Sequence, residues 1–187
     1  AAGGGYVIAG TTATDPTTVT QANQNCFLVG LSPTGFSTWQ HTYDAGQPTT
    51  CAAATATPDG GYAMTGFTVG RDTFIVKTDS IGNPIWKKAA ATPAGDFGRA
   101  ITAQGDEIVT VSAGYGAGGP KSLVTRYSLD GTPSGTVTVP GLEPYAVRAL
   151  PDGSLVIAGV IYGGDVDQAP GVARVASDGS IEWSLPL

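Results

Sequence analysis

Residues 59–66 read Asp59-Gly60-Gly61-Tyr62-Ala63-Met64-Thr65-Gly66, and residues 74–86 read Phe74-Ile75-Val76-Lys77-Thr78-Asp79-Ser80-Ile81-Gly82-Asn83-Pro84-Ile85-Trp86. Asp-Gly and Gly-Gly steps supply the positive φ of tight hairpins, and β-branched and aromatic residues fill the runs between them. The spacing predicts four short strands: A over Thr50 to Thr57, B over Tyr62 to Thr68, C over Thr73 to Thr78 and D over Pro84 to Ala89. No segment of the chain carries the capped, 3.6-period apolar stripe of a helix, so the class is all-β.

Outward from this stretch, the pattern recurs. Four turns, Ser32-Pro33-Thr34-Gly35, Asp79-Ser80-Ile81-Gly82, Ser128-Leu129-Asp130-Gly131 and Ala176-Ser177-Asp178-Gly179, place their last glycines 47, 49 and 48 residues apart. Each turn is preceded by a strand-B marker: Gly5 to Gly10, Gly61 to Gly66, Asp106 to Val111 and Ser154 to Gly159. Trp39, Trp86 and Trp183 stand four residues after their turn glycines, where the third unit has Gly135. Self-similarity at about 48 residues marks stacked supersecondary units, and four antiparallel strands per unit is the size of one propeller blade. The expectation is a single β-propeller domain over 1–187, with blades near 1–46, 47–94, 95–140 and 141–187. The first blade opens at strand B and lacks its innermost strand, leaving 15 strands where 16 complete four blades.

The segments quoted at the outset resemble the repeat of secreted bacterial β-propeller proteins, with DGGY…G followed by K-x-D-x-x-G-x-x-x-W. The resemblance covers the second unit well and the others loosely. It implies an extracytoplasmic binding or scaffolding module, often part of a larger surface protein, with no fixed catalytic residues to carry over.

Composition narrows the function classes. The chain has 187 residues, 9 Lys+Arg against 15 Asp+Glu, a net charge of −6 and 13% charged residues. So acidic a chain lacks the basic stripe that nucleic acid requires, and anionic membranes are disfavoured by the same charge. No apolar run approaches the roughly 20 residues of a spanning helix, so a soluble chain without membrane insertion is expected. The start at Ala1, without Met, fits a processed product or a portion of something longer.

Candidate chemistry is sparse. Gly114-Tyr115-Gly116-Ala117-Gly118-Gly119-Pro120-Lys121-Ser122 matches G-x-G-x-x-G, but a strand follows where phosphate binding needs a helix N-terminus, and a flexible loop is expected. His41, the only histidine, lies in Trp39-Gln40-His41-Thr42-Tyr43 on an outer strand, without a serine elbow, and reads as an edge residue rather than a catalytic one. Asp165 and Asp167 are weak Ca²⁺ candidates, two carboxylates being few for a cation that takes six to eight oxygens. No other cofactor is expected. Arg99 and Arg148 fall on strand A, but counting back from the strand-B marker aligns Arg148 with Ala100 and Arg99 with Val147, so they form no ring.

Cys26 and Cys51, the only thiols, fall in neighbouring units. Either they form a cross-blade disulfide, which suits an oxidising compartment, or they are two separately buried thiols. The periodic aromatics Tyr6, Tyr62, Trp39, Trp86 and Trp183 are expected to fill the space between sheets, whereas the non-periodic Tyr115, Tyr145 and Tyr162 are candidates for a contact surface. These readings favour a non-catalytic extracytoplasmic propeller acting through protein contacts, as scaffold or accessory subunit. Two alternatives are a lectin-like glycan-binding or glycan-processing propeller, and a structural unit of a homo-oligomeric ring or filament.

Overall fold

The computed structural model describes residues 5–13, 17, 20–90, 95–163 and 166–187. Fifteen strands form four sheets, each an antiparallel meander in chain order. Sheet I holds β1 (Tyr6–Ala13), β2 (Gln24–Leu31) and β3 (Ser37–Tyr43), with one short 3-10 turn at Gln21–Asn23. Sheet II holds β4 (Thr49–Ala56), β5 (Tyr62–Thr68), β6 (Thr73–Thr78) and β7 (Pro84–Ala90). Sheet III comprises β8 (Asp96–Gln104), β9 (Glu107–Gly116), β10 (Gly119–Ser128) and β11 (Pro133–Pro140). Sheet IV comprises β12 (Leu142–Ala149), β13 (Leu155–Gly163), β14 (Val166–Val175) and β15 (Ile181–Pro186). The fold is all-β and propeller-like, and among the described residues the first sheet has three strands where each of the other three has four.

The sheets pack face to face on their chain neighbours, and each junction has its own core. Cys26, Leu28 and Tyr43 of the first junction meet Tyr62, Met64, Phe74 and Val76. The second is smaller, with Ala63 and Ile75 against Ile101, Ile108 and Tyr127. At the third, Val109, Val111 and Val124 meet Leu142, Leu155 and Ile157. Sheet II, sandwiched between two neighbours, has β6 buried at every residue. A strand covered on both faces is largely apolar, and in Thr73-Phe74-Ile75-Val76-Lys77-Thr78 the two terminal threonines bond their hydroxyls internally, leaving one buried charge, the lysine.

That lysine is held by the repeat itself. Lys77 is fully buried; its Nζ donates to Thr78 O (2.7 Å) and pairs with Asp59 Oδ2 (2.9 Å) in the turn between β4 and β5. Arg174 pairs with Asp152 at the corresponding place of sheet IV, whereas in sheet III Arg126 pairs with Glu107, the first residue of β9. In sheets II and IV the acid of the inner turn and the cation of the third strand are thus one device, fastening turn to sheet.

The four turns joining third to fourth strand are alike: the glycine N–H returns to the carbonyl three residues earlier (2.9–3.3 Å), and Gly35, Gly82, Gly131 and Gly179 have φ between 84 and 89°. The turns between first and second strand are not. Those of sheets II and IV run Thr57 to Gly61 and Leu150 to Ser154, whereas sheet III closes over Gly105 and Asp106 alone, with Gln104 opposite Glu107. The shorter turn displaces the strand-B marker of the third unit by one residue, so Ile108, not Glu107, corresponds to Tyr62. A bulge in each inner strand fixes the register, at Cys51/Ala53, Gly98/Ala100 and Pro144/Ala146. Arg99 therefore corresponds to Tyr145 and to Ala52, and Arg148 to Thr102. The alignment expected from the sequence is corrected, and the two arginines still form no ring.

Cys26 of β2 and Cys51 of β4 are joined as a disulfide across the first junction, with Cα atoms 5.1 Å apart. The Gly114 to Ser122 string is not a flexible loop: β9 runs to Gly116 and β10 starts at Gly119, and Lys121 and Ser122 are strand residues opposite Gly114 and Ala113. Alternating pairs continue to the tip because Gly119, at φ 85°, closes the hairpin.

Candidate functional site

Tyr115, Tyr145 and Tyr162 come from three different strands and converge on one carboxylate. Glu143, on β12, is 6% exposed. Its Oε1 accepts from Tyr115 Oη (2.6 Å) and Tyr145 Oη (3.3 Å), its Oε2 accepts from Tyr162 Oη (2.9 Å), and Arg99 Nη2 lies 3.6 Å from Oε1. The bulges place the two flanking groups: Arg99 and Tyr145 are the extra residues of β8 and β12, and the guanidinium of Arg99 lies 5.9 Å from the Tyr145 ring and 5.7 Å from the Phe97 ring. Phe97 in turn meets Tyr115 edge-on at 6.0 Å.

Burial alone would raise the Glu143 pKa, but the hydrogen bonds from Tyr115 and Tyr162, the Arg99 charge and Tyr145 outweigh it and hold the carboxyl below its ordinary range. Burial and the bond to Glu143 push Tyr115 up to about 12, and the same bond, then burial, raises Tyr162. The hub is an ionised carboxylate flanked by the neutral phenols of Tyr115 and Tyr162. Such phenols donate hydrogen bonds and are poor nucleophiles at neutral pH. Sequence reading found the three tyrosines as loop aromatics but missed Glu143. The available signal was an acid inside an apolar inner strand, Leu142-Glu143-Pro144-Tyr145, at the place where the second unit has Thr50 and the third has Phe97.

A second feature lies at the two ends of the stack. At each internal junction the fourth strand of one sheet covers the turn glycine of the next. A Cβ on Gly82 would lie 2.6 Å from the Trp39 ring and 2.7 Å from that of His41, on Gly131 3.0 Å from the Trp86 ring, and on Gly179 2.7 Å from Val137. Trp86 Nε1 also donates to Leu129 O (2.8 Å), and Tyr43 Oη to Gly82 O (2.6 Å). At the ends these contacts are missing among the described residues: a Cβ on Gly35 would meet nothing within 4 Å beyond its chain neighbours, and Trp183 is 37% exposed.

The periodic aromatics are therefore interior only where a neighbour exists. Tyr62 is buried and Trp39 and Trp86 are half-buried, but Tyr6 is 60% exposed, so for Tyr6 and Trp183 the expected filling between sheets is corrected. His41 is on the outer strand β3, half-buried, its ring 6.0 Å from Trp39 and 6.4 Å from Tyr43, where it packs the junction. Asp165 lies outside the described residues, and Asp167 falls on β14 with its side chain likewise outside them. Among the described residues no three His, Cys, Asp or Glu side chains group as a metal site, and no helix is long and apolar enough to cross a membrane.

No protein-family model matches the chain, and no curated protein matches it. Among solved structures it is similar to a protein of unknown function from Bacteroides caccae, 13% identical with a TM-score of 0.59, over 96% of this chain and 57% of that one. It is also similar to the subtype N10 neuraminidase-like protein of A/little yellow-shouldered bat/Guatemala/060/2010, 9% identical with a TM-score of 0.55, over 87% of this chain and 50% of that one. These likenesses concern the fold. The chain spans about half the length of each.

Proposed function

We propose that the four sheets are consecutive blades of an extracytoplasmic β-propeller that works by holding other protein surfaces, as a scaffold or accessory unit, and not by catalysis. The observation that carries this reading is the pair of uncovered faces at the ends of the stack. Sheet I presents Tyr6 and Ile8 and sheet IV presents Trp183 and Leu185, all exposed. Clustered apolar side chains of this kind mark interaction surfaces. The free edge of β1, which pairs with β2 alone among the described strands, offers a further place for an added strand. The Cys26–Cys51 disulfide suits an oxidising compartment. The test is cross-linking mass spectrometry on the protein isolated gently from its source. Cross-links from a partner to β1 and β15 are expected, and a chain that runs alone with both faces open to hydrogen exchange refutes the reading.

A glycan-binding reading has one specific observation behind it: Tyr145 is 54% exposed beside the Arg99 guanidinium, an aromatic face on which a sugar ring stacks. Binding on a glycan array that vanishes with Tyr145→Ala is its expected result, and a blank array removes it.

A further inference from the structure

The two uncovered faces are halves of the same joint. Strand register places Tyr6, Ile8, Phe27 and Val29 of sheet I where sheet II has Tyr62, Met64, Phe74 and Val76, the four residues that receive sheet I in the first core. Sheet I thus keeps the receiving half of a junction, Tyr-Ile-Phe-Val for Tyr-Met-Phe-Val, with no other sheet seated on it among the described residues. Its three strands carry no Asp, Glu, Lys or Arg, so the face has no charge that would favour solvent. Gly35 completes it, in the turn geometry of Gly82, Gly131 and Gly179.

Sheet IV keeps the other half. Trp183 pairs with Arg174 across β14 and β15 as Trp39 pairs with Gly30 and Trp86 with Lys77. Trp183, Leu185 and Leu187 therefore stand where sheet I has Trp39, His41 and Tyr43, and all three are exposed. The third sheet shows that the joint tolerates change: with Gly135 in the tryptophan place, Val137 alone covers Gly179. Sheet IV restores the tryptophan that sheet III lost, on a face where this chain offers it no glycine.

We infer that a second copy of this chain covers these faces head to tail, with Trp183 and Leu185 of one copy seated on the Gly35 turn and the Tyr6–Ile8 face of the other. The occupant follows from complementarity within one sequence: each end lacks what the opposite end carries, in the geometry that already joins sheets I to II and II to III. A heterologous contact of this kind closes into a ring of two copies if the rotation permits and otherwise continues as a filament. The inference rests on the interaction reading above and names the partner.

The test is native mass spectrometry and light scattering on the purified, disulfide-intact chain over a range of concentrations. An assembly of two or more 18.7 kDa chains is expected, weakened about 30-fold or more by Trp183→Asp, as for a central aromatic anchor. The fold of that variant is checked by unchanged circular dichroism and intact first and second junctions, read from Trp39 and Trp86 fluorescence. A second arm mixes Trp183→Asp with a chain carrying Gly35→Val. Each variant is expected to be single alone, and the mixture to pair one to one through the one joint that remains intact. A wild-type chain that stays single at about 100 µM, a concentration at which micromolar contacts are saturated, overturns the inference, as does association indifferent to Trp183→Asp. In the first of those cases, cross-links from a different protein to β1 and β15 in material from the source would leave the interaction reading standing.

Discussion

Asp59→Asn should destabilise the protein more than Lys77→Met, although the lysine is the buried member of the pair. Lys77 is fully buried, and its ammonium has two partners in the structure, the Thr78 carbonyl and Asp59. Removing the carboxylate's charge leaves a buried cation with one carbonyl. Breaking a fully buried pair costs about 3–5 kcal/mol, and because the Asp59 side chain is 38% exposed, screening reduces this to about 2–3 kcal/mol. Lys77→Met keeps the stem and removes the charge. Asp59 then retains Thr57 Oγ1 at 2.6 Å and the Gly61 N–H at 3.3 Å and can hydrate, so the loss should stay below about 1 kcal/mol. For a chain of this size the asparagine variant should melt roughly 5–10 °C lower, and adding it to Lys77→Met should change little, a coupling of about 2 kcal/mol in a double-mutant cycle. Acid unfolding adds a second readout. Burial raises the Asp59 pKa, but the bonds from Thr57, Lys77 and Gly61 outweigh it and hold it low. Its stabilisation is therefore present above the unfolded value near 3.9 and lost as pH falls through the folded one, so Lys77→Met should flatten that limb. Lys77→Met as costly as Asp59→Asn, or strictly additive effects, would refute this account of the motif.

The other expectations concern the joints and the carboxylate hub. Gly66→Ala and Gly159→Ala each put a Cβ 1.9 Å from an inner-strand carbonyl, Thr50 O and Glu143 O, so the bulged strands must move and thermal melts should show a loss of about 1–3 kcal/mol; a change within about 0.5 kcal/mol would count against the close approach. Reducing Cys26–Cys51, which spans a sequence separation of 25, should cost about 3.5 kcal/mol on the chain-entropy model, read as the shift in urea midpoint with and without reductant, and an unmoved midpoint would contradict it. Tyr115→Phe removes a donor from a buried carboxylate and should cost about 1–3 kcal/mol. The wild type should also lose stability as pH rises from about 10, the unfolded tyrosine value, through about 12, the value in the fold; this alkaline loss should shrink in Tyr115→Phe. Glu143 acts at the other end of the scale: its folded pKa is lowered, so its stabilisation is present above the unfolded value near 4.3 and lost as pH falls. Glu143→Gln should flatten the acid limb.

The units were legible in the sequence because turn chemistry is local. Asp59-Gly60-Gly61 and the 79–82 turn require particular backbone angles at particular residues, and strands β5 and β6 fall within the predicted bounds. The third unit slipped by one residue because its inner turn closes over Gly105 and Asp106, a shortening that composition does not flag. The tyrosines of the hub were legible as non-periodic aromatics, but their common partner was not. Glu143 reaches them only because bulges at Arg99 and Tyr145 and the ends of β9 and β13 meet across the third junction, with Tyr115 28 residues from Glu143 in the chain and Arg99 further still.

Departures from the repeat are therefore as informative as adherence to it. A residue that keeps its phase is explained by the joint it makes, as Trp86 is by Gly131 and the Leu129 carbonyl. A residue out of phase, such as Glu143, needs a local reason, and here three hydroxyls and a guanidinium supply one without a ligand. Residues that keep the phase but lack the joint are a third case. Tyr6, Ile8, Trp183 and Leu185 have core identities and surface exposure. Full burial of a large apolar side chain brings about 1.5–3 kcal/mol, and these four, 37–60% exposed, forgo part of it, so the uncovered ends are a place where an added partner would stabilise the fold.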